Sequence, residues 1–318
     1  MMNGDSIDSL YTPLLTGNHG EITHIRPTTP IEMLDRVFAI FTVRPWVFLA
    51  LAALYALPSA AATTGLYLFY GSTSSPIDAI GYLPWFFASF FIEQWPCAAI
   101  LLTVFQTYSS PQKPYGIITA LGSAFKRLPY LILTRTLVWF ILLLLFGVFV
   151  QSVLSPAAGG TFTGSLAQVI GLWCLAASIY FLMMWILVPP IVVIERASFF
   201  RAMVRSMQLM AMSFRPGLLK GDTARRRFLL LALFPAAVWL TAQGLLQSVS
   251  IARSGTIIFM TPHDPLLYFT AMGLDFIVNL TAGLWILIAS PLLYIECRIR
   301  REALDVHMRL TNATISDK

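Results

Sequence analysis

Glu93 is the residue of this chain with the greatest scope for chemistry. It stands near the middle of Tyr82–Phe105, a run that is otherwise uncharged. An ionised carboxylate deep in a hydrocarbon layer costs about 2.5–3.5 kcal/mol, so such a group must be neutral, paired, or lining a wet cavity. Asp275 and Asn279, one helical turn apart, add a second polar face near the outer end of the last apolar run. A proton- or cation-coupled carrier needs such groups, with Glu93 as the carrying acid and Asp275 or Asn279 as its partner. The same carboxyl can instead hydrogen-bond between helices and hold a bundle together. Arg135, near the inner end of another apolar run, is placed to snorkel toward the interface.

Other chemistry finds little support. Cys97, Cys174 and Cys297 are isolated and sit in or beside apolar runs, which disfavours both disulfides and zinc. None of the four histidines opens a His-Glu-x-x-His motif, and neither a Gly-x-Ser-x-Gly elbow nor a phosphate-binding glycine loop is present. His263-Asp264 offers too few ligands for a metal and reads as part of a turn around Pro262 and Pro265. The expectation is a protein with no catalytic residues, no metal site and no cofactor.

The elements that must position Glu93 are membrane helices. Of the 318 residues 57% are hydrophobic and 11% charged, whereas a soluble domain carries about 25% charged residues. Six apolar runs, Trp46–Tyr70, Tyr82–Phe105, Leu131–Leu154, Leu166–Ile194, Phe228–Ser248 and Met272–Ile295, each have the roughly 20 residues that a helix needs to cross a bilayer. The fold class expected is all-α, a polytopic membrane protein of six transmembrane helices. Residues 1–30 read as a polar tail and residues 311–318 as another, flanking a single domain over 31–310. Asp5, Asp8, Glu21, Glu32 and Asp35 precede the first apolar run without a signal-peptide h-region, so the first span is expected to act as the signal anchor.

Charge sets the orientation. Every Lys and Arg except Arg253 falls before the first span or on alternate connections thereafter, Lys113–Arg135, Arg196–Arg227 and Arg298 onward. By the positive-inside rule both termini and these basic connections are cytoplasmic, with Gly71–Ala79, Gln151–Ser165 and Val249–Ala271 outside. The net charge of +6 gathers at span ends, where anionic lipid headgroups explain it, so nucleic acid is not expected as a partner. Membrane lipids are, with a membrane-protein partner or a second copy of the chain as further possibilities.

The chain also echoes itself. Pro190-Ile-Val-Val-Ile-Glu195 recurs as Pro291-Leu-Leu-Tyr-Ile-Glu296 and, without the acid, as Pro96-Cys-Ala-Ala-Ile-Leu101. A segment of helical period ending near Pro45, Pro129 or Pro216 precedes each pair of apolar runs. The pattern predicts three helical hairpins, each preceded by an interfacial amphipathic helix.

In the third such helix, Phe199, Met203, Met207 and Met210 are expected on one face and Arg201, Arg205 and Gln208 on the other. Arg201, Arg205, Arg225, Arg226 and Arg227 would then face lipid phosphate. Thr29-Pro30-Ile31-Glu32 has capping-box spacing with proline at the first helical position. Pro189 and Pro190 are expected to bend or end the fourth span, with Glu195 starting the next helix where its charge offsets the dipole. Pro291 and Glu296 repeat that elbow, and Glu296–Arg300, Arg298–Glu302, Arg301–Asp305 and Asp305–Arg309 form an i,i+4 ladder beyond it.

RPTTPIEMLDRVFAIF (Arg26–Phe41), ERASFFRAMVRSMQL (Glu195–Leu209) and LLYIECRIRREALDV (Leu292–Val306) resemble three signature regions of bacterial six-span proteins similar to the membrane domain of glycerophosphoryl diester phosphodiesterases. The resemblance implies a six-span protein of the bacterial plasma membrane. It does not bring the metal-dependent catalytic barrel, whose His-Arg-Gly start has no counterpart at His19, His24, His263 or His307.

Overall fold

The computed structural model describes residues 30–70, 76–109, 115–154, 162–211, 224–254 and 265–299. The two expected tails, most of the charge ladder beyond Arg298, Pro216 and the His263-Asp264 pair lie outside these residues, as do the middles of the three outer connections. The regular structure described is helical throughout, without strands.

In chain order the helices are α1 (Pro30–Val43), α2 (Pro45–Tyr70), α3 (Pro76–Ser109), α4 (Ile117–Phe125), α5 (Leu128–Leu154), α6 (Phe162–Met184), α7 (Val188–Glu195), α8 (Phe199–Met210), α9 (Ala224–Ser254) and α10 (Pro265–Val278). A π-helical turn at Asn279–Gly283 leads into α11 (284–299). Among the described residues six stretches are long and apolar enough to cross a membrane, the fourth and sixth of them running through α6–α7 and α10–α11. The protein is a six-span all-α membrane protein.

Consecutive spans pack in pairs, α2 on α3, α5 on α6 and α9 on α10. The two members of each pair differ in burial. Of the apolar stretches, 61%, 50% and 61% is buried in the second members but only 22%, 17% and 11% in the first. The second members therefore form the centre and the first members the rim. The repeated Pro-x-x-x-Ile segments account for much of that centre: Cys97–Leu102 on α3, Pro190–Val193 on α7 and Leu292–Cys297 on α11 are all buried.

The fourth span is broken as the prolines require. Pro189 and Pro190 have no N–H to give to the carbonyls of Trp185 and Ile186. The chain makes a turn closed by Val188 N–H to the Trp185 carbonyl (3.0 Å) and starts α7 anew. Glu195 does not open the next helix, as the sequence suggested; it is the last residue of α7. Arg196, at φ 55°, takes the left-handed conformation that ends α7, and α8 begins three residues later.

The short helices each bury one narrow face. Met33, Val37 and Ile40 of α1, Ala120 and Ala124 of α4, and Ala202, Ser206, Leu209 and Met210 of α8 point into the protein. Ser206 fastens α8 by donating its hydroxyl to the Met184 carbonyl at 2.6 Å. The outward faces carry large apolar side chains: Ile31 and Phe38, Ile118 and Phe125, Phe200 and Val204. On α8 this corrects the expected division, because Met210 is in the core, Met203 and Met207 pack against it, and Phe200 and Val204 are what face out. The buried face of α8 pairs small Ala202 and Ser206, which allow close approach to α6, with Leu209 and Met210 in its last turn.

Candidate functional sites

Glu93 lies half-buried on α3 and has a cation close by. Arg135 of α5 reaches into the same region: its Nη1 donates to Oε1 of the buried Gln94 at 2.9 Å and contacts Sγ of Cys97 at 3.5 Å. It also shares a hydrogen bond with Tyr55 of α2. The expected snorkelling of Arg135 to the interface is thus replaced by coordination inside the bundle. A guanidinium with five donors is better satisfied by Gln94, Tyr55 and the Glu93 charge than by extension along an apolar helix surface.

Asp275 and Asn279 form a polar pair on the sixth span. Asn279 Nδ2 donates to Asp275 Oδ2 at 3.1 Å, and the Asp275 charge acts on Glu93. Asp275 is exposed at the protein surface and Asn279 opens the π-helical turn. A π turn inserts one residue and rotates the side chains that follow it. Tyr55 lies against Gly283 at the end of that turn. Asp275 and Asn279 are therefore held together on the sixth span, while Glu93 stands near Arg135, which the sequence marked only as a snorkelling residue; Tyr55 and Gln94 are polar groups of this region that the sequence did not single out.

A second polar assembly sits at the basic end. Glu195 accepts from Arg205 Nη2 at 2.9 Å and from the Tyr294 hydroxyl, and meets Arg298 Nη1 at 3.5 Å. Arg298 Nη1 also donates to the Tyr294 hydroxyl at 3.1 Å. Glu296 lies 3.5 Å from Arg227 Nη1 and 3.9 Å from Arg36 Nη1. Each repeat acid thus takes an arginine from a short helix, Glu195 from α8 and Glu296 from α1.

Three of the five arginines expected to face lipid are turned inward instead. Arg205 pairs with Glu195, and Arg225 donates Nε to the Met210 carbonyl at 3.3 Å with its guanidinium 5.8 Å from the Tyr180 ring centre. Arg227 is only 2% exposed. The cause is that Glu195 and Glu296 end up inside the bundle and an unpaired buried carboxylate is costly. Arg201 and Arg226 are exposed, and Arg201 forms no ion pair among the described residues.

The third corner lacks an acid. Leu101 stands in the repeat where Glu195 and Glu296 stand in the others. Arg127, between α4 and α5, donates Nη1 to the Val193 carbonyl of α7. Burial, and then the like charge of Arg196, push the Arg127 guanidinium below its ordinary pKa, with Tyr115 opposing.

Among the described residues no three His, Cys, Asp or Glu side chains stand close enough to hold a metal ion. No family model matches the chain, and neither does any curated protein or solved structure.

Proposed function

We propose that this is a non-enzymatic multi-pass protein of the bacterial plasma membrane that organises anionic lipid at its cytoplasmic face. The observation that carries the reading is the outward face of α8. Exposed Phe200 and Val204 stand beside Arg201, across a hollow of about 340 Å³ also lined by Arg205 and Gln208. Such a face suits an acyl chain against the apolar pair and a phosphate against the guanidinium. The exposed Ile31 and Phe38 on α1, and Ile118 and Phe125 on α4, support the same placement in the interface.

The test is retention of phosphatidylglycerol by the full chain in nanodiscs. Reversing one interfacial charge removes on the order of 1 kcal/mol or more of attraction. Arg201→Glu is expected to lower retained phosphatidylglycerol severalfold while the helical content stays constant. Equal retention would reject α8 as the lipid-organising face.

A second reading, a small proton- or cation-coupled carrier, is favoured by one observation. Asp275 is an exposed acid within a span, linked electrostatically through Glu93 to Arg135. The nearness of Arg135 to Glu93 favours the helix-bridging role over the carrier role.

A further inference from the structure

The basic end also contains cations that no carboxylate pairs with among the described residues. Lys126, Arg127 and Arg196 gather where the α4–α5 junction meets the end of α7. Arg127 reaches α7 through its bond to Val193, three residues before Arg196. Lys126 and Arg196 are exposed and Arg127 is half-buried. Among the described residues no carboxylate pairs with any of the three.

The Glu195 and Glu296 assemblies show what such cations do when an acid is at hand. Arg205 and Arg298 converge on Glu195, and Arg36 and Arg227 on Glu296. Beside Arg127 and Arg196 no such acid pairs, and the Val193 carbonyl takes only one of the five guanidinium donors of Arg127. Two guanidinium groups close enough to repel each other are stabilised by an anion that accepts from both, and a tetrahedral phosphate presents the oxygens to do so.

We propose that Lys126, Arg127 and Arg196 form a phosphate-binding corner at the end of α7, occupied by a phosphate group that takes the role a carboxylate plays for the arginines around Glu195 and Glu296. The group can belong to an anionic lipid headgroup or to free phosphate, since the recognition chemistry is the same. The corner is separate from the α8 face and does not depend on Arg201.

The experiment uses the full chain in phosphatidylcholine nanodiscs, with two probes. One is inorganic phosphate in the buffer and the other is phosphatidylglycerol mixed into the bilayer; thermal unfolding and native mass spectrometry report binding. Wild type is expected to bind at least one probe, and Arg196→Asn to bind it about tenfold more weakly, as loss of a charge-assisted hydrogen bond predicts. Asn tolerates the left-handed backbone at this exposed position, so folding is preserved. The double variant Arg127→Gln/Arg196→Asn is expected to lose the response, whereas Arg201→Glu keeps the corner's share of it. Response to phosphatidylglycerol alone identifies a lipid headgroup, and response to inorganic phosphate identifies a free anion. No response in wild type, or wild-type affinity in Arg196→Asn, would overturn the assignment.

Discussion

Arg227 near the start of α9 is buried against Glu296 of α11, 3.5 Å away, although both belong to segments that the sequence assigns to the membrane surface. The contact fastens the rim helix α9 to the central helix α11. Trp285 strengthens the same junction by donating to the Leu231 carbonyl at 2.9 Å and packing between Phe38 and Phe234.

Removing one partner of this pair should therefore cost far more than removing an exposed one. Arg227→Ala leaves Glu296 buried beside the more distant Arg36 and is expected to destabilise the protein by about 3–5 kcal/mol. Arg36→Ala, which removes a half-exposed partner, should cost less than about 1 kcal/mol. Denaturant unfolding in detergent, followed by circular dichroism, compares the two; equal losses would show that Arg227 is not the principal partner.

Inside the membrane the order of importance should favour the cation. Arg135→Ala removes the partner of Gln94 and Tyr55 and the countercharge of Glu93 together, and a loss of about 3–5 kcal/mol is expected. Glu93→Gln keeps a donor and an acceptor and should accumulate in the membrane at wild-type level. Expression level and unfolding midpoint measure both. A stable Glu93→Gln protein that has lost a pH-dependent transport or growth phenotype would favour the carrier reading.

Packing of α5 on α6 depends on one glycine. A Cβ at Gly171 would fall 1.7 Å from Ser152 Oγ and 2.8 Å from its Cβ. Gly171→Ala is expected to cost about 1–3 kcal/mol through overpacking. Ser152→Gly in the same chain should recover most of that loss. No recovery would mean that the helices separate for another reason.

Orientation is open to direct labelling. With Cys174 replaced by Ser, a membrane-impermeant maleimide applied to intact cells should react with Ile251→Cys, beyond the end of the α9 span, and spare Ser198→Cys between α7 and α8. Reversed labelling would invert the proposed topology.

The six spans were legible because hydrophobic run length is a one-dimensional property: a helix needs about 20 apolar residues to cross a bilayer whatever surrounds it. The break at Pro189-Pro190 was equally local, since a missing N–H acts on carbonyls within the same turn. The distinct behaviour of Glu93 could also be read, as a lone acid in an apolar run. Its partner was visible only as a second lone charge, Arg135, and nothing in the linear order says that α3 and α5 bring the two together.

Sequence by itself determined which segments are membrane helices; the structure moved their ends, making Glu195 the last residue of α7 and carrying α11 unbroken through Pro291 and Glu296, where the sequence suggested an elbow. Only the tertiary structure decided which spans are central, that Arg205, Arg225 and Arg227 turn inward, and that Glu195 and Glu296 close on arginines from other helices. The physical reason is the range of the forces involved. Apolar transfer and backbone hydrogen bonding act on each helix separately, whereas the partner of a buried charge is chosen by which helices pack together.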